Sequence, residues 1–131
     1  MHSRLLRELD AELCAQHRLP LSSYEVLLNL SGAPERRMRM SELADSVLLS
    51  RSGLSRLCDR LERDGMVERV VTSTDARGAF AVITPLGLAR FRQAQLTHLA
   101  GVRERFTSRF SDSELRELAA LWERVLPGAS S

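Results

Sequence analysis

The stretch that most constrains the fold is "SRSGLSRLCDRLERDG", residues 50–65. Leu54, Leu57, Cys58 and Leu61 recur at i, i+3, i+4 and i+7, the spacing of one apolar stripe on a helix. At about 100° per residue, Ser52, Arg56, Asp59 and Arg63 fall on the opposite side. Ser50 stands where an N-cap belongs, and Gly65 where the glycine just past a helix belongs. Such a helix must bury its apolar back on neighbouring elements. Its arginine–serine front then faces either water or a partner.

The flanking sequence supplies the neighbours. In "ELADSVL", with Ser41 as its expected N-cap, Leu43, Ala44 and Val47 make a second apolar stripe. "LSR" ends that helix and begins the quoted one, so the pair reads as a helix-turn-helix. Upstream, Ser22 and Glu25 form an expected capping box opening "YEVLLNLSG", which Gly32 and Pro34 stop. "APERR" is then a polar linker. Downstream the period changes from helical to alternating. "MVERVVT" and "AFAVIT" are valine-rich strand candidates on either side of the turn-forming "STDARG". A hairpin placed directly after a helix-turn-helix reads as a wing. Thr84 and Pro85 provide an N-cap and a first-turn proline for a long helix reaching about Phe110. Ser111 and Glu114 form a further capping box for "LRELAALWERVL", which Pro127 and Gly128 end.

Composition excludes more than it assigns. The chain has 131 residues, enough for one domain with a real core. No apolar run approaches the roughly 20 residues of a membrane span. The start, "MHSRLLRELDAEL", is charged and amphipathic rather than a secretory leader, so a cytoplasmic location is expected. Cys14 and Cys58, and His2, His17 and His98, match no metal or redox spacing. With no phosphate loop, nucleophile elbow or HExxH, no catalytic residues, cofactor or metal are expected. Net charge is only +2, although all 19 basic residues are arginine. Any case for nucleic acid therefore rests on where the arginines stand, not on how many there are.

Across "LSRSGLSRLCDRLERDGMVERVVTSTDARGAFAVITPLG", residues 49–87, the sequence resembles the MarR family of winged-helix regulators. The joins "RLERDGMVER" and "ITPLG" and the wing "DARG" carry the resemblance, and the flanking helices extend it over essentially the whole chain. It implies a mainly α fold with a small β-hairpin wing (α+β), a winged helix-turn-helix with flanking dimerisation helices. Residues 21–87 would form the DNA-binding part, and 1–20 and 85–127 the dimerisation part. The family further implies a homodimer on palindromic DNA, usually a repressor relieved by a small molecule or an oxidant.

As a recognition helix, the stretch 50–65 would put its first turns into the major groove. Ser52, Ser55 and Arg56 are then the candidates for base edges. Arg51, Arg60 and Arg63 are candidates for phosphates, or for partners of Asp59, Glu62 and Asp64. Arg77 would reach a minor groove from the wing tip, with Asp75 and Gly78 shaping the wing. Two terminal apolar bands suit a dimer interface: Leu5, Leu6, Leu9 and Leu13, and Leu115, Leu118, Leu121, Trp122 and Val125. His17 and Tyr24 are candidate polar handles of an effector cleft near Phe91 to His98, suited to a small aromatic or anionic molecule. Two alternatives remain open. One is a redox sensor of the same fold, which needs an accessible cysteine of low pKa. The other is a winged helix that binds protein, which needs an acidic or apolar recognition face.

Overall fold

The computed structural model describes residues 2–71 and 79–125. Two helices open the chain, α1 (His2–His17) and α2 (Leu21–Gly32). After a 3-10 turn at Pro34–Arg36 come β1 (Arg37–Arg39), α3 (Met40–Val47) and α4 (Arg51–Arg63). Strands β2 (Val67–Val70) and β3 (Phe80–Ile83) precede α5 (Pro85–Arg105), a 3-10 turn at Thr107–Arg109, and α6 (Asp112–Val125). The sheet is antiparallel in the order β1-β3-β2, so the fold is mainly helical with a small sheet.

The expected stripes are the buried ones. Leu54, Leu57, Cys58 and Leu61 of α4 lie in one core with Leu43 and Ala44 of α3, Val26, Leu27 and Leu30 of α2, and Phe91 and Ala94 of α5. Each fully buried leucine contributes about 1.5–3 kcal/mol from the area it removes from water. The turn between α3 and α4 is closed by Leu48, which takes a left-handed conformation (φ 57°, ψ 38°). The N–H of Leu49 returns to the carbonyl of Ala44 at 3.1 Å, so the turn is held by the backbone.

Three expectations about caps hold and two do not. Ser50 Oγ accepts from Gly53 N at 3.0 Å, and Thr84 Oγ1 accepts from Gly87 N at 3.0 Å. Ser111 and Glu114 cap each other reciprocally, at 2.9 and 3.1 Å. Ser22, however, lies inside α2, whose N-cap is Pro20 with no side-chain cap of its own. The Asp10 carboxylate on α1 takes that role, accepting from Leu21 N at 2.7 Å. Ser41 likewise lies inside α3, because the N–H of Met40 finds the carbonyl of Ala79 at 3.0 Å beside β3.

Two element boundaries also differ from expectation. The end of the polar linker is strand β1, whose Arg37, Met38 and Arg39 pair with Val82, Ala81 and Phe80. The guanidinium groups of Arg37 and Arg39 lie over the Phe80 ring, 4.8 and 5.2 Å from its centre. Helix α5 ends at Arg105 rather than near Phe110, and the 3-10 turn fills the gap.

Helices α1 and α5 lie against each other. Arg105 bonds both carboxylate oxygens of Glu12 at 3.3 Å and approaches Glu8 at 3.4 Å. Gly101 allows the close approach, since a Cβ there would stand 3.2 Å from Leu9 and closer still to Glu12. Leu9 is thereby 4% exposed within the single chain. Its place in a dimer interface is corrected: α5 already covers it.

Candidate nucleic-acid interface

Helix α4 presents two chemically distinct sides. Arg51, Ser52, Arg56, Arg60 and Arg63 are exposed, Ser55 is half-buried, and the leucine–cysteine stripe is sealed beneath. Among the described residues, no carboxylate stands within ion-pair distance of Arg51, Arg56, Arg60 or Arg63. Arg63 donates to the backbone carbonyl of Asp59, at 3.4 Å. Arg60 and Arg63 occupy the last turn of α4, where positive charge also complements the helix dipole. The Ser52 hydroxyl sits 3.3 Å from that of Ser50, at the end of the helix expected to go deepest into a groove.

Asp59 and Glu62 are therefore not partnered by the arginines of their own helix. Both turn to Arg69 on β2, a residue the sequence reading passed over. Its guanidinium donates to the carbonyl of Ser55 at 2.9 Å and to the Asp59 carboxylate. Its backbone N–H donates to the Glu62 carboxylate at 3.1 Å. The available signal was charge balance, two acids on α4 and an arginine a few residues past Gly65, but helix periodicity alone sees only same-helix neighbours.

A cavity of about 230 Å³ opens beside this arrangement, lined by Met40, Ser41, Arg51, Leu54, Ser55, Arg69 and Ala79. Its lining combines two arginines and two serines with Met40, Leu54 and Ala79.

The expected effector cleft is not formed by its named residues. Tyr24 is 3% exposed, its ring packed on Phe91 at 5.3 Å and on His98 at 4.7 Å between ring centres. Burial raises its hydroxyl pKa. His17 Nε2 is hydrogen-bonded to Thr97 Oγ1 at 2.6 Å. Tyr24 is a core residue, while His17 is half-buried and ties α1 to α5. His98 has a buried Nδ1 without a partner among the described residues, and burial holds its pKa below 6.5 despite the charge of Glu12.

The cysteines lack the surroundings of a low-pKa thiol. Burial raises the pKa of both, with nearby Asp10 adding to the effect at Cys14. Cys58 is fully buried, and Cys14 points its thiol at Asp10 Oδ1, 3.8 Å away. Reactive thiols need the opposite surroundings.

Of the terminal bands, α6 has no buried residue: Leu118, Leu121, Trp122 and Val125 are exposed, Trp122 to 54% and Val125 to 70%. Leu5 is half-buried and Leu6 exposed, while Leu13 is covered within the chain. Asp75, Arg77 and Gly78 lie outside the described residues. Among the described residues, no cluster of His, Cys, Asp and Glu could hold a metal, and no helix is long and apolar enough to cross a membrane.

The sequence model of the MarR family matches residues 18–78, from the end of α1 past β2. AbsC, a MarR family transcriptional regulator from Streptomyces coelicolor, is 35% identical, with 95% of this chain and 83% of that chain covered at a TM-score of 0.85. The chain belongs to the MarR family. A second MarR family regulator from Streptomyces coelicolor, Sco3205, solved in complex with DNA, is 32% identical at a TM-score of 0.86, covering 97% of this chain and 80% of that one. The transcriptional repressor YetL of Bacillus subtilis is 28% identical over 105 residues, 78% of this chain. The chain spans 63% of YetL's length. Within the MarR fold, α3 and α4 are the helix-turn-helix and the β2–β3 hairpin the wing.

Proposed function

We propose that this MarR family chain is a homodimeric transcriptional repressor that reads a pseudo-palindromic duplex in the cytoplasm. The observation that carries the proposal is α4: its apolar stripe is sealed, and its serine–arginine side stands exposed without carboxylate partners among the described residues. Ser52, Ser55 and Arg56 read base edges, with Arg56 suited to fork O6 and N7 of a guanine. Arg51, Arg60 and Arg63 hold phosphates, and Arg77 reaches a minor groove from a wing shaped by Asp75 and Gly78. A basic, serine-bearing face is the wrong chemistry for a protein-binding winged helix, and the suppressed thiols speak against redox sensing.

The dimer rests on α6. Its Leu118, Trp122 and Val125 stand exposed among the described residues, and Leu5 can join them from α1. Twofold pairing of such a face sets two reading heads on one duplex and makes the site pseudo-palindromic. Residues 21–87 then serve as the reading part and the terminal helices as the dimerisation part. For a small aromatic or anionic effector, the cavity between Arg51, Arg69 and Leu54 offers matching chemistry in place of the closed Tyr24 site.

The test is selection of bound sequences from random duplex DNA, repeated with hydroxybenzoates present. Enrichment of an inverted repeat supports the proposal. Failure to enrich any sequence refutes it, and release of the selected duplex by no such acid removes the effector assignment.

A further inference from the structure

Arg69 stands apart from the other arginines of the reading head. Its guanidinium is mostly covered, with the side chain 24% exposed, and it points at α4 rather than at solvent. Its contacts fall on Ser55, Asp59 and Glu62, which are i, i+4 and i+7 on α4 and so share one side of the helix. Together they span two turns. Two are made by the side chain and one by the backbone of β2 itself, so strand and helix cannot slide or roll past each other without breaking at least one.

The position in the chain gives this tie its meaning. Arg69 pairs with Ala81 across the β2–β3 ladder, one residue before β2 ends at Val70. At its other end it grips the carbonyl of Ser55, within the turn of α4 that carries Ser52 and Arg56. Base readout demands that side chains be held to within a fraction of an ångström, whereas phosphate contact tolerates drift. The Nε of Arg69 is buried without a partner among the described residues, a cost the other contacts must offset.

We infer that Arg69 is a positioning residue: it locks the wing strand to the reading end of α4 and sets base discrimination without touching DNA. The inference rests on the DNA-reading proposal and makes a claim that proposal does not. Discrimination between a selected duplex and random duplex depends on Arg69, while the number of phosphates held does not.

The experiment uses the full chain with two probes, the duplex that wild-type protein enriches from a random pool and a scrambled duplex of equal length. Arg69→Met keeps the aliphatic bulk and removes the donors. Asp59→Asn removes the charge and one acceptor oxygen of an exposed side chain, so it keeps the test alive if Arg69→Met does not fold. Each variant is expected to lower the ratio of the two affinities about tenfold, the scale of one well-formed base-edge pair. The slope of log affinity against log salt should stay at the wild-type value, and the double variant should lose no more than the worse single one. A merely structural role would weaken both probes alike and leave the ratio unmoved. That result overturns the inference, as does a slope that falls by about one unit, the signature of a lost phosphate contact. If wild-type protein enriches no duplex, the DNA-reading proposal fails instead, so the two failures are distinguishable.

Discussion

Gly87 joins the reading head to the long helix, and replacing it with alanine pits two effects of opposite sign. Alanine in the first turn of α5 would gain up to about 1 kcal/mol from helix propensity if nothing stood in its way. The structure puts a carbonyl there. A Cβ at Gly87 would lie 2.1 Å from Met66 O and 3.0 Å from Ile83 Cγ1. Carbon approaches a carbonyl oxygen to about 3.3 Å, so α5 or the Met66 backbone must move by roughly 1 Å. That movement strains the junction, where Thr84 N donates to Met66 O at 3.0 Å and Thr84 Oγ1 to Gly65 O at 2.6 Å. Overpacking costs about 1–3 kcal/mol, and each hydrogen bond weakened adds about 1. Set against the propensity gain, Gly87→Ala is expected to destabilise by about 2–3 kcal/mol, lowering Tm by roughly 10 °C. Thermal melting followed by circular dichroism at one fixed chain concentration reads this directly. A melting temperature equal to or above wild type would show that the contact with Met66 is not a constraint, and the argument would be refuted.

Arg56→Ala is expected to cost about 1–3 kcal/mol on the selected duplex and to relax one base pair per half-site, whereas Arg63→Ala weakens selected and random DNA alike; equal, uniform losses would erase the division between them. Trp122→Glu should yield monomers with poor DNA affinity in light scattering, and dimers of wild-type strength would remove α6 from the interface. His98 is half-buried, with its Nδ1 enclosed, and burial sets its folded pKa below the unfolded value of 6.5, so its neutral form is the one the fold accommodates. The unfolded chain then binds the proton first, and stability is present above 6.5 and lost as pH falls from there towards the folded value. His98→Phe keeps a ring against Tyr24 and removes the titration, so its denaturant midpoint should fall less than wild type's over that range; parallel curves would contradict the assignment.

Local rules were legible in the sequence wherever the partner lay within a turn or two. The stripe of α4, the Ser50 cap, the Thr84–Pro85 start and the Ser111–Glu114 box all obey them, and Gly65 takes the positive φ of 75° its position calls for. Features built across the fold were not legible. Strand β1 is three residues long, too short for alternation to show, and exists because β3, some 40 residues on, offers an edge. The caps expected at Ser22 and Ser41 were displaced by Asp10 and by the Ala79 carbonyl, both distant in sequence. Leu9 and Leu118 have similar settings in the sequence, yet α5 covers the first, while the second stays exposed among the described residues. Arg69 was missed for the same reason: its acids lie on another element, and only the folded chain brings them together.

The central claim, that α4 reads the major groove of two half-sites, is tested most directly by methylation interference on the selected duplex. Methyl groups on guanine N7 line the major groove and block an inserted helix. The account predicts two patches of interference about one helical turn apart, with one guanine in each patch becoming insensitive in Arg56→Ala. Interference confined to a single patch, or none at N7 on a duplex that still binds tightly, would contradict it.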